Sequence, residues 1–203
     1  MVLDEKYDVI VVGGGHAGCE AAYSAAKMGA NVLMITMNMQ TIGQMSCNPA
    51  MGGVAKGQIV REIDALGGGS ARITDKSMIQ FRMLNRSKGP AMWSPRVQSD
   101  RMLFAQYWRE LLEETPGLNM FQDMVTGLNV SDNTVHGVRT ALGLTFEAQT
   151  VILTSGTFMN GLIHVGDKNF GGGRAGERAS TGITEELITM GFEAGRMKTG
   201  TPP

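Results

Sequence analysis

Residues 8–18, which read DVIVVGGGHAG, decide the fold of this chain. Residues 9–12 are apolar on both faces, as expected for the central strand of a parallel sheet. Residues 17–28 are rich in alanine and contain no proline, so they predict a helix that ends at Gly29. A second apolar run at residues 32–35 predicts the next strand. Strand, helix and strand in this order indicate one right-handed βαβ unit.

The glycines of this segment follow the pattern Gly13-x-Gly15-x-x-Gly18. In dinucleotide-binding proteins the first glycine permits a tight turn, the second lets the backbone approach a diphosphate, and the third lets the helix pack closely on the strand. The diphosphate lies at the N-terminus of the helix, where free N–H groups favour negative charge. A glycine-rich turn without a ligand is the alternative. We expect a dinucleotide bound by Gly13, Gly14, Gly15, His16, Ala17 and Gly18.

The identity of the dinucleotide depends on the residues beyond the helix. An acidic residue about 20 positions after the glycines commonly holds the adenosine ribose, but no carboxylate occurs between Glu20 and Glu62. Thr36 or Asn38 would supply a neutral hydrogen bond instead, or the ribose is held in another way. This absence argues against a plain NAD dehydrogenase. A long irregular segment, a predicted β-meander and a final buried strand favour FAD over NAD.

Composition and charge exclude several classes of protein. The chain has 203 residues, of which 42% are hydrophobic, 18% are charged and 28 are glycine, and its formal net charge is −1. These values exclude a disordered chain, a coiled coil and a disulfide scaffold. No apolar run reaches the roughly 18 residues of a membrane helix, and the first residues do not read as a secretory signal. We expect a cytoplasmic protein with reduced cysteines, no metal site and no membrane contact.

The remaining pattern predicts a mixed α/β chain. The expected elements are helices at 54–66, 100–115 and 184–190, strands at 79–84, 124–130, 134–139, 144–148 and 151–153, and loops at 85–99 and 166–176. Asp100 is the predicted N-cap of the second of these helices. The strands at 124–130, 134–139 and 144–148 form the β-meander, which we expect to lie over one face of the sheet.

Two features could carry chemistry of their own. Cys47 lies in a loop and is either a reactive thiol or an inert one, whereas Cys19 lies in the alanine-rich helix and is expected to pack. Residues 82–109 have a net charge of +5, from the six cations Arg82, Arg86, Lys88, Arg96, Arg101 and Arg109 and the single acid Asp100. This stretch either follows nucleic-acid phosphates, with Trp93 as a stacking surface, or is a solvated face.

Six motifs are spread along the chain: GGGHAG at 13–18, GQMSCNPA at 43–50, DALGG at 64–68, SKGPA at 87–91, GGRAG at 172–176 and KTGTPP at 198–203. Together they closely resemble the MnmG (GidA) family of tRNA wobble-uridine modification enzymes. The resemblance runs in register over the full length. It implies a Rossmann-like FAD-binding domain of the two-dinucleotide flavoprotein type, with a β-meander.

The resemblance also implies an activity. Family members are homodimeric flavoproteins that act with the GTPase MnmE to add a carboxymethylaminomethyl or aminomethyl group at C5 of U34 in tRNA. Methylene-tetrahydrofolate supplies the carbon unit, and NADH reduces the flavin. By correspondence, residues 13–18 hold the pyrophosphate, Val125 contacts the adenine side through its backbone, Ser180 contacts FAD, and Cys47 assists chemistry near the flavin.

Family members are considerably longer than this chain, so the resemblance implies a truncated domain. We expect residues 1–203 to be the N-terminal portion of the FAD-binding domain, with an irregular insertion at about 40–100 and the start of a second insertion near 200. The rest of the NADH-binding insertion and the C-terminal helical domain would be absent, so FAD affinity should be weak and turnover absent. The alternatives are a non-catalytic FAD- or tRNA-binding fragment and a folate- and FAD-dependent tRNA uracil methyltransferase.

Overall fold

The computed structural model describes residues 2–46 and 48–197. The strands are β1 Val2–Val12, β2 Val32–Thr36, β3 Ala50–Gly52, β4 Met78–Leu84, β5 Ser94–Ser99, β6 Leu118–Gln122, β7 Val125–Ser131, β8 Thr134–Thr140, β9 Thr145–Leu153, β10 Leu162–Val165 and β11 Lys168–Gly171. The helices are α1 His16–Lys27, α2 Lys56–Ala65, α3 Ser70–Lys76, α4 Arg101–Glu113 and α5 Ile183–Thr189. None of these helices is long and apolar enough to cross a membrane.

The main sheet has six strands in the order β6-β2-β1-β9-β8-β7. β1 pairs in parallel with β2 on one side and with β9 on the other, and β6 extends the parallel part beyond β2. The predicted βαβ unit is therefore present as β1, α1 and β2. Ile10 and Val11 in β1 are both fully buried, and they belong to the two hydrophobic cores on opposite faces of the sheet. This confirms that residues 9–12 form a central strand.

The β-meander is present, and only the bounds of its last strand differ from the expectation. Residues 144–148 and 151–153 were expected as two strands, yet residues 145–153 form one continuous strand, β9. Residues 145–147 of β9 pair with β8, while its other edge follows β1 from Lys6 to Val12. One strand can do both because its two edges bond independently. The meander is therefore joined to the main sheet through β9 and folds over one face of its parallel part, as expected. The ring of Phe146 in β9 lies 5.0 Å from that of Phe121 in β6, and Val138 of β8 shares a buried core with Leu33 of β2.

The loop predicted at 85–99 is wrong for its second half. Residues 94–99 form β5, the middle strand of a three-stranded antiparallel sheet in the order β3-β5-β4, and residues 86–88 and 90–92 form short 3-10 turns. Pro95 favours a loop in the sequence, but proline is tolerated near the start of a strand, which is where it lies in β5. Val97 is the only large apolar residue among the buried positions of β5, so the sequence of this strand shows no apolar alternation.

The other differences have local causes. The helix predicted at 54–66 begins at Lys56, because Ala55 has φ of +64°, which no helix accommodates. Helix α3 and strand β6 are too short and too polar for a clear periodic signal. The hairpin of β10 and β11 lies partly within the predicted glycine-rich loop.

Helix α4 follows the prediction closely. Asp100 accepts hydrogen bonds from the amides of Met102 (2.9 Å) and Leu103 (3.0 Å), as an N-cap should. Phe104 and Trp108 on the buried face of α4 are fully enclosed beside α1. This helix supports the segment after β2 that closes on the glycine-rich turn.

Candidate functional site

The glycine-rich segment lies where three neighbouring parallel strands end. The amide of Gly13 donates to the carbonyl of Ile35 in β2 (2.8 Å), and the amide of Thr154, just after β9, donates to the carbonyl of Val12 (2.9 Å). The carboxyl ends of parallel strands are the edge at which open α/β sheets bind ligands. The fold therefore places residues 13–18 at the edge where a dinucleotide is expected.

The three glycines of the motif have different surroundings. Gly13 has φ of +111°, and a Cβ atom there would lie 2.6 Å from the carbonyl oxygen of Thr154. A Cβ atom on Gly18 would collide with the carbonyl oxygen of Gly13, so helix α1 packs on the turn at a distance only glycine allows. A Cβ atom on Gly15 would meet nothing within 4 Å. The open side of the turn is thus at Gly15, where the backbone is accessible to a ligand.

The N-terminus of α1 carries unpaired amides. Gly15 is the N-cap residue, no side chain caps it, and the first turn contains no acidic residue. The first intrahelical bond runs from the amide of Cys19 to the carbonyl of Gly15 (2.9 Å). The preceding amides, of residues 16–18, have no intrahelical acceptor and carry the positive end of the helix dipole. This arrangement suits a bound phosphate or carboxylate.

The side chain of His16 packs against the protein. Its Nε2 atom lies 3.2 Å from the carbonyl oxygen of Gly43, and its ring meets Phe104 edge-on at 5.4 Å. Burial, together with the positive charge of Lys56 and of Arg174, lowers the pKa of His16 below its ordinary value. A neutral, packed imidazole leaves the backbone amide as the group that His16 offers to a ligand.

The glycine-rich turn is fastened to the segment that follows β2. The carbonyl of Gly14 accepts the amide of Gly43 (2.9 Å), and the Cys19 thiol lies 3.5 Å from the same oxygen. Cys19 is fully buried, and burial raises the pKa of its thiol to about 12. A thiol that stays protonated is unreactive, which agrees with the packing role expected for Cys19. Cys47 lies outside the described residues.

The two candidates for a neutral ribose contact differ in their partners. The Asn38 side-chain oxygen accepts the amide of Gln40 (2.9 Å) and so caps a short turn. The hydroxyl of Thr36 forms no hydrogen bond within residues 2–46 and 48–197. A Cβ atom on Gly14 would lie 2.9 Å from this hydroxyl, so Thr36 stands directly beside the turn. Within the described part of the chain, Thr36 therefore keeps its whole hydroxyl unused, whereas Asn38 keeps only its side-chain NH2 group unused.

Val125 and Ser180, which are 55 positions apart, are brought into contact. The Ser180 hydroxyl donates to the carbonyl of Val125 (3.2 Å), and both residues are buried. The amide of Asp123, just before β7, donates to the carbonyl of Thr36 (3.0 Å). The start of β7 therefore lies beside the end of β2, on the same side of the sheet as the glycine-rich turn.

Arg174 is a residue of the site that sequence reasoning did not single out. Its guanidinium donates to the side chains of Gln44 and of Ser46 (3.0 Å for Ser46), and it forms an ion pair with Glu177 (3.0 Å). The same group lies 5.2 Å from the ring centre of Phe158. Arg174 thus joins the segment after β2 to the segment after β11. Its membership of the motif at 172–176 was visible in the sequence, but its partners were not.

Within the described ranges, no group of three or more histidine, cysteine, aspartate or glutamate side chains could hold an ion. His136 in β8 and His164 in β10 are both exposed, away from other such groups.

A model of the family described as glucose inhibited division protein A matches residues 8–203 of this sequence. The match includes the glycine-rich turn and every segment that surrounds it. The chain belongs to this family. The resemblance to GidA proteins seen in the sequence is thereby confirmed.

Relatives in the GidA family carry the name tRNA uridine 5-carboxymethylaminomethyl modification enzyme MnmG. The protein of Christiangramia forsetii is 68% identical over 202 residues, which cover 100% of this chain and 32% of the relative. The protein of Flavobacterium psychrophilum is 66% identical over 199 residues, which cover 98% of this chain and 32% of the relative. The chain therefore spans about a third of the length of these relatives.

Solved GidA structures share the fold. The structure of Aquifex aeolicus GidA matches with a TM-score of 0.90 and 48% identity over 93% of this chain and 31% of that one. A GidA-related protein from Thermus thermophilus matches with a TM-score of 0.66 and 23% identity over 92% and 69%. The expected Rossmann-like α/β fold is confirmed by these likenesses, of which the second concerns the fold alone.

The glycines make a first prediction about the stability of this GidA chain. Gly18→Ala should lower the free energy of unfolding by about 1–3 kcal/mol, because the methyl group collides with backbone. In an ordinary helix position the same change would raise stability by roughly 0.5–1 kcal/mol. Gly15→Ala, which faces open space, should stay within about 0.5 kcal/mol of the wild type. Urea unfolding measures both, and equal effects of the two variants would contradict the proposed geometry.

A second prediction follows from the lowered pKa of His16. The unfolded chain takes up a proton at His16 near pH 6.5, whereas the folded chain does so only at lower pH. The contribution of His16 to stability is therefore complete above about pH 6.5 and is lost as the pH falls below this value. Urea unfolding at about pH 7.5 and about pH 5.5 should show the loss in the wild type. The substitution His16→Asn should reduce this loss of stability, whereas the substitution His136→Asn at an exposed position should not. An unchanged pH dependence in His16→Asn would refute the contribution of His16.

Proposed function

We propose that this chain binds FAD at residues 13–18 and is the flavin-binding part of an enzyme that modifies wobble uridine U34 in tRNA. The reaction would add a carboxymethylaminomethyl or aminomethyl group at C5, together with the GTPase MnmE. Methylene-tetrahydrofolate would supply the carbon unit and NADH would reduce the flavin. The observation that carries the proposal is the open turn at Gly15 beside the uncapped N-terminus of α1.

The residues present fit a flavin dinucleotide. The unpaired amides of residues 16–18 suit its diphosphate, which is anionic. The unused hydroxyl of Thr36 suits an adenosine ribose and would replace the missing carboxylate by a neutral hydrogen bond. The contact between Ser180 and Val125 lies on the same side of the sheet, where the adenine half would be held. FAD, when bound, supplies the hydride-accepting and carbon-transferring chemistry.

The protein groups around the turn have distinct roles in this proposal. His16 offers its backbone and takes no part as an acid or base, because its ring is packed and neutral. Arg174 holds Gln44 and Ser46 in place. Cys47, the next residue in the sequence, would assist the chemistry near the flavin.

The family relatives are about three times as long as this chain. We propose that residues 1–203 are the first portion of the FAD-binding domain and that the NADH-binding insertion and a helical domain lie outside them. The complete protein would be a cytoplasmic homodimer. The 203-residue chain would then bind FAD weakly and would not turn over on its own.

The cofactor assignment predicts a binding difference. FAD titrated into the 203-residue protein should show quenched flavin fluorescence, and Gly15→Ala should weaken binding roughly tenfold or more, which is about 1.4 kcal/mol. The reason is that a methyl group would occupy the space through which the diphosphate reaches the amides. Gly195→Ala, which also adds a methyl group in open space, is the matched control. Tighter binding of a nicotinamide dinucleotide than of FAD would overturn the assignment.

The reaction predicts a product. The protein supplied with MnmE, GTP, NADH, methylene-tetrahydrofolate and the remaining family domains should yield tRNA with an aminomethyl-type group at U34, as read by mass spectrometry of nucleosides. The 203-residue chain alone should yield none. A 5-methyluridine product would establish the uracil methyltransferase alternative. FAD binding without any product in the completed system would establish the non-catalytic alternative.

A further inference from the structure

The six cations of the basic stretch at 82–109 lie on two parts of the fold, Arg101 and Arg109 on α4 and the other four on a hairpin. Arg109 forms an ion pair with Glu113 and donates to the carbonyl of Met39 (2.9 Å), so it belongs to the packing of α4. Arg82, Arg86, Lys88 and Arg96 lie instead on β4, β5 and the turns that join them. We call residues 78–99 the basic arm.

The two arginines of the arm's strands face each other. Arg82 is the direct cross-strand partner of Arg96, and the neighbouring pair on that face is Gln80 with Gln98. Like charges directly opposite each other in a sheet are destabilising. The other face of the hairpin pairs Phe81 with Val97, and Val97 is buried. The arm therefore presents its charge on the face turned away from its own apolar side.

Nothing within the arm neutralises this charge. Residues 78–99 contain four cations and no aspartate or glutamate. Of the ion pairs formed by residues 2–46 and 48–197, none includes a residue of the arm. A hairpin that keeps four uncompensated positive charges, two of them opposed, is suited to a polyanion.

Trp93 gives the arm a second feature. Its side chain is 40% exposed, yet its Nε1 atom donates to the carbonyl of Arg86 (3.1 Å), which holds the ring in place at the end of the hairpin. Exposed aromatic rings beside a basic track stack on unpaired bases. The other tryptophan, Trp108, is fully buried in α4. An acidic protein surface could contact the charges, but a nucleic acid combines phosphates spaced along its chain with flat bases that stack on an indole face.

The arm is also continuous with the candidate site. Gly52 of β3 pairs with Arg96, and β3 follows the segment whose Gly43 and Ser46 contact the glycine-rich turn and Arg174. A ligand lying along the arm would approach that segment.

We propose that the basic arm binds the phosphate backbone of a looped RNA and that Trp93 stacks on one of its unpaired bases. The assignment rests on the proposed function, in which tRNA is the substrate. It identifies which four of the six cations bind that substrate.

The test uses the 203-residue protein and a fluorescently labelled RNA stem-loop with a uridine in its loop. Arg82→Gln combined with Arg96→Gln should weaken binding roughly tenfold at low salt and reduce the salt dependence by about two phosphate contacts. Arg109→Gln, which removes one charge from the same stretch of sequence, should leave both unchanged. Equal binding by the double variant and the wild type would overturn the proposal, as would no binding of RNA by the wild type.

Tryptophan emission provides an independent readout. RNA should quench the emission of Trp93 and spare that of Trp108, so Trp93→Leu should abolish the quenching and weaken binding roughly fivefold or more. Quenching that persists in Trp93→Leu would refute stacking at the arm. Competition by poly-glutamate as strong as by unlabelled RNA would show an acidic protein to be the partner and would overturn the RNA assignment.

Stability and FAD titration separate the possible failures. The double variant should unfold at the same or a higher urea concentration, because a repulsive pair is removed. It should also bind FAD as the wild type does. If the double variant still binds RNA, RNA binding by the arm is refuted and the proposed function is unaffected. If the wild type binds RNA through the arm but does not bind FAD, the proposed function is refuted.

Discussion

The close approach of Gly18 in α1 to the carbonyl of Gly13 is the constraint on which the site depends. It sets the distance between the helix and the end of β1, and it allows the first amides of α1 to stand at the edge of the sheet. Any side chain at residue 18 would push the helix away, since the obstacle is backbone and cannot rotate aside. The same helix contributes Cys19, Ala22 and Tyr23 to the core, so the turn and the core share one geometry.

Segments from distant parts of the sequence complete the site around this turn. The segment after β2 bonds to it through Gly43, and Arg174 joins that segment to the one after β11. The start of β7 reaches the end of β2 because the meander folds over the face of the sheet that carries Leu33 and Ile35. These contacts are mostly hydrogen bonds to backbone, which fix position without specifying chemistry. The groups left unused there, among them the amides of residues 16–18 and the hydroxyl of Thr36, are the ones that would contact a bound ligand.

The basic arm differs from the turn in the kind of contact that it contains. The segments around the turn are joined by favourable hydrogen bonds, whereas the arm keeps a repulsive pair of arginines and an exposed tryptophan on one hairpin. Such a hairpin is less stable in isolation than a neutral one would be, and a polyanion relieves the repulsion. A charge count along the sequence could not separate this group from Arg109, because only the folded chain shows which cations have partners.

Local sequence alone specified the βαβ unit, the N-cap at Asp100, the strands of the meander and the steric role of each glycine in the turn. These features depend on neighbours a few residues away, whose periodicity and steric limits can be read directly. Tertiary structure decided that β9 is continuous, that residues 94–99 form a strand despite Pro95, and that Ser180 meets Val125. It also decided the partners of Arg174 and the opposition of Arg82 and Arg96. These depend on pairing between segments tens of residues apart, for which no local pattern carries the information.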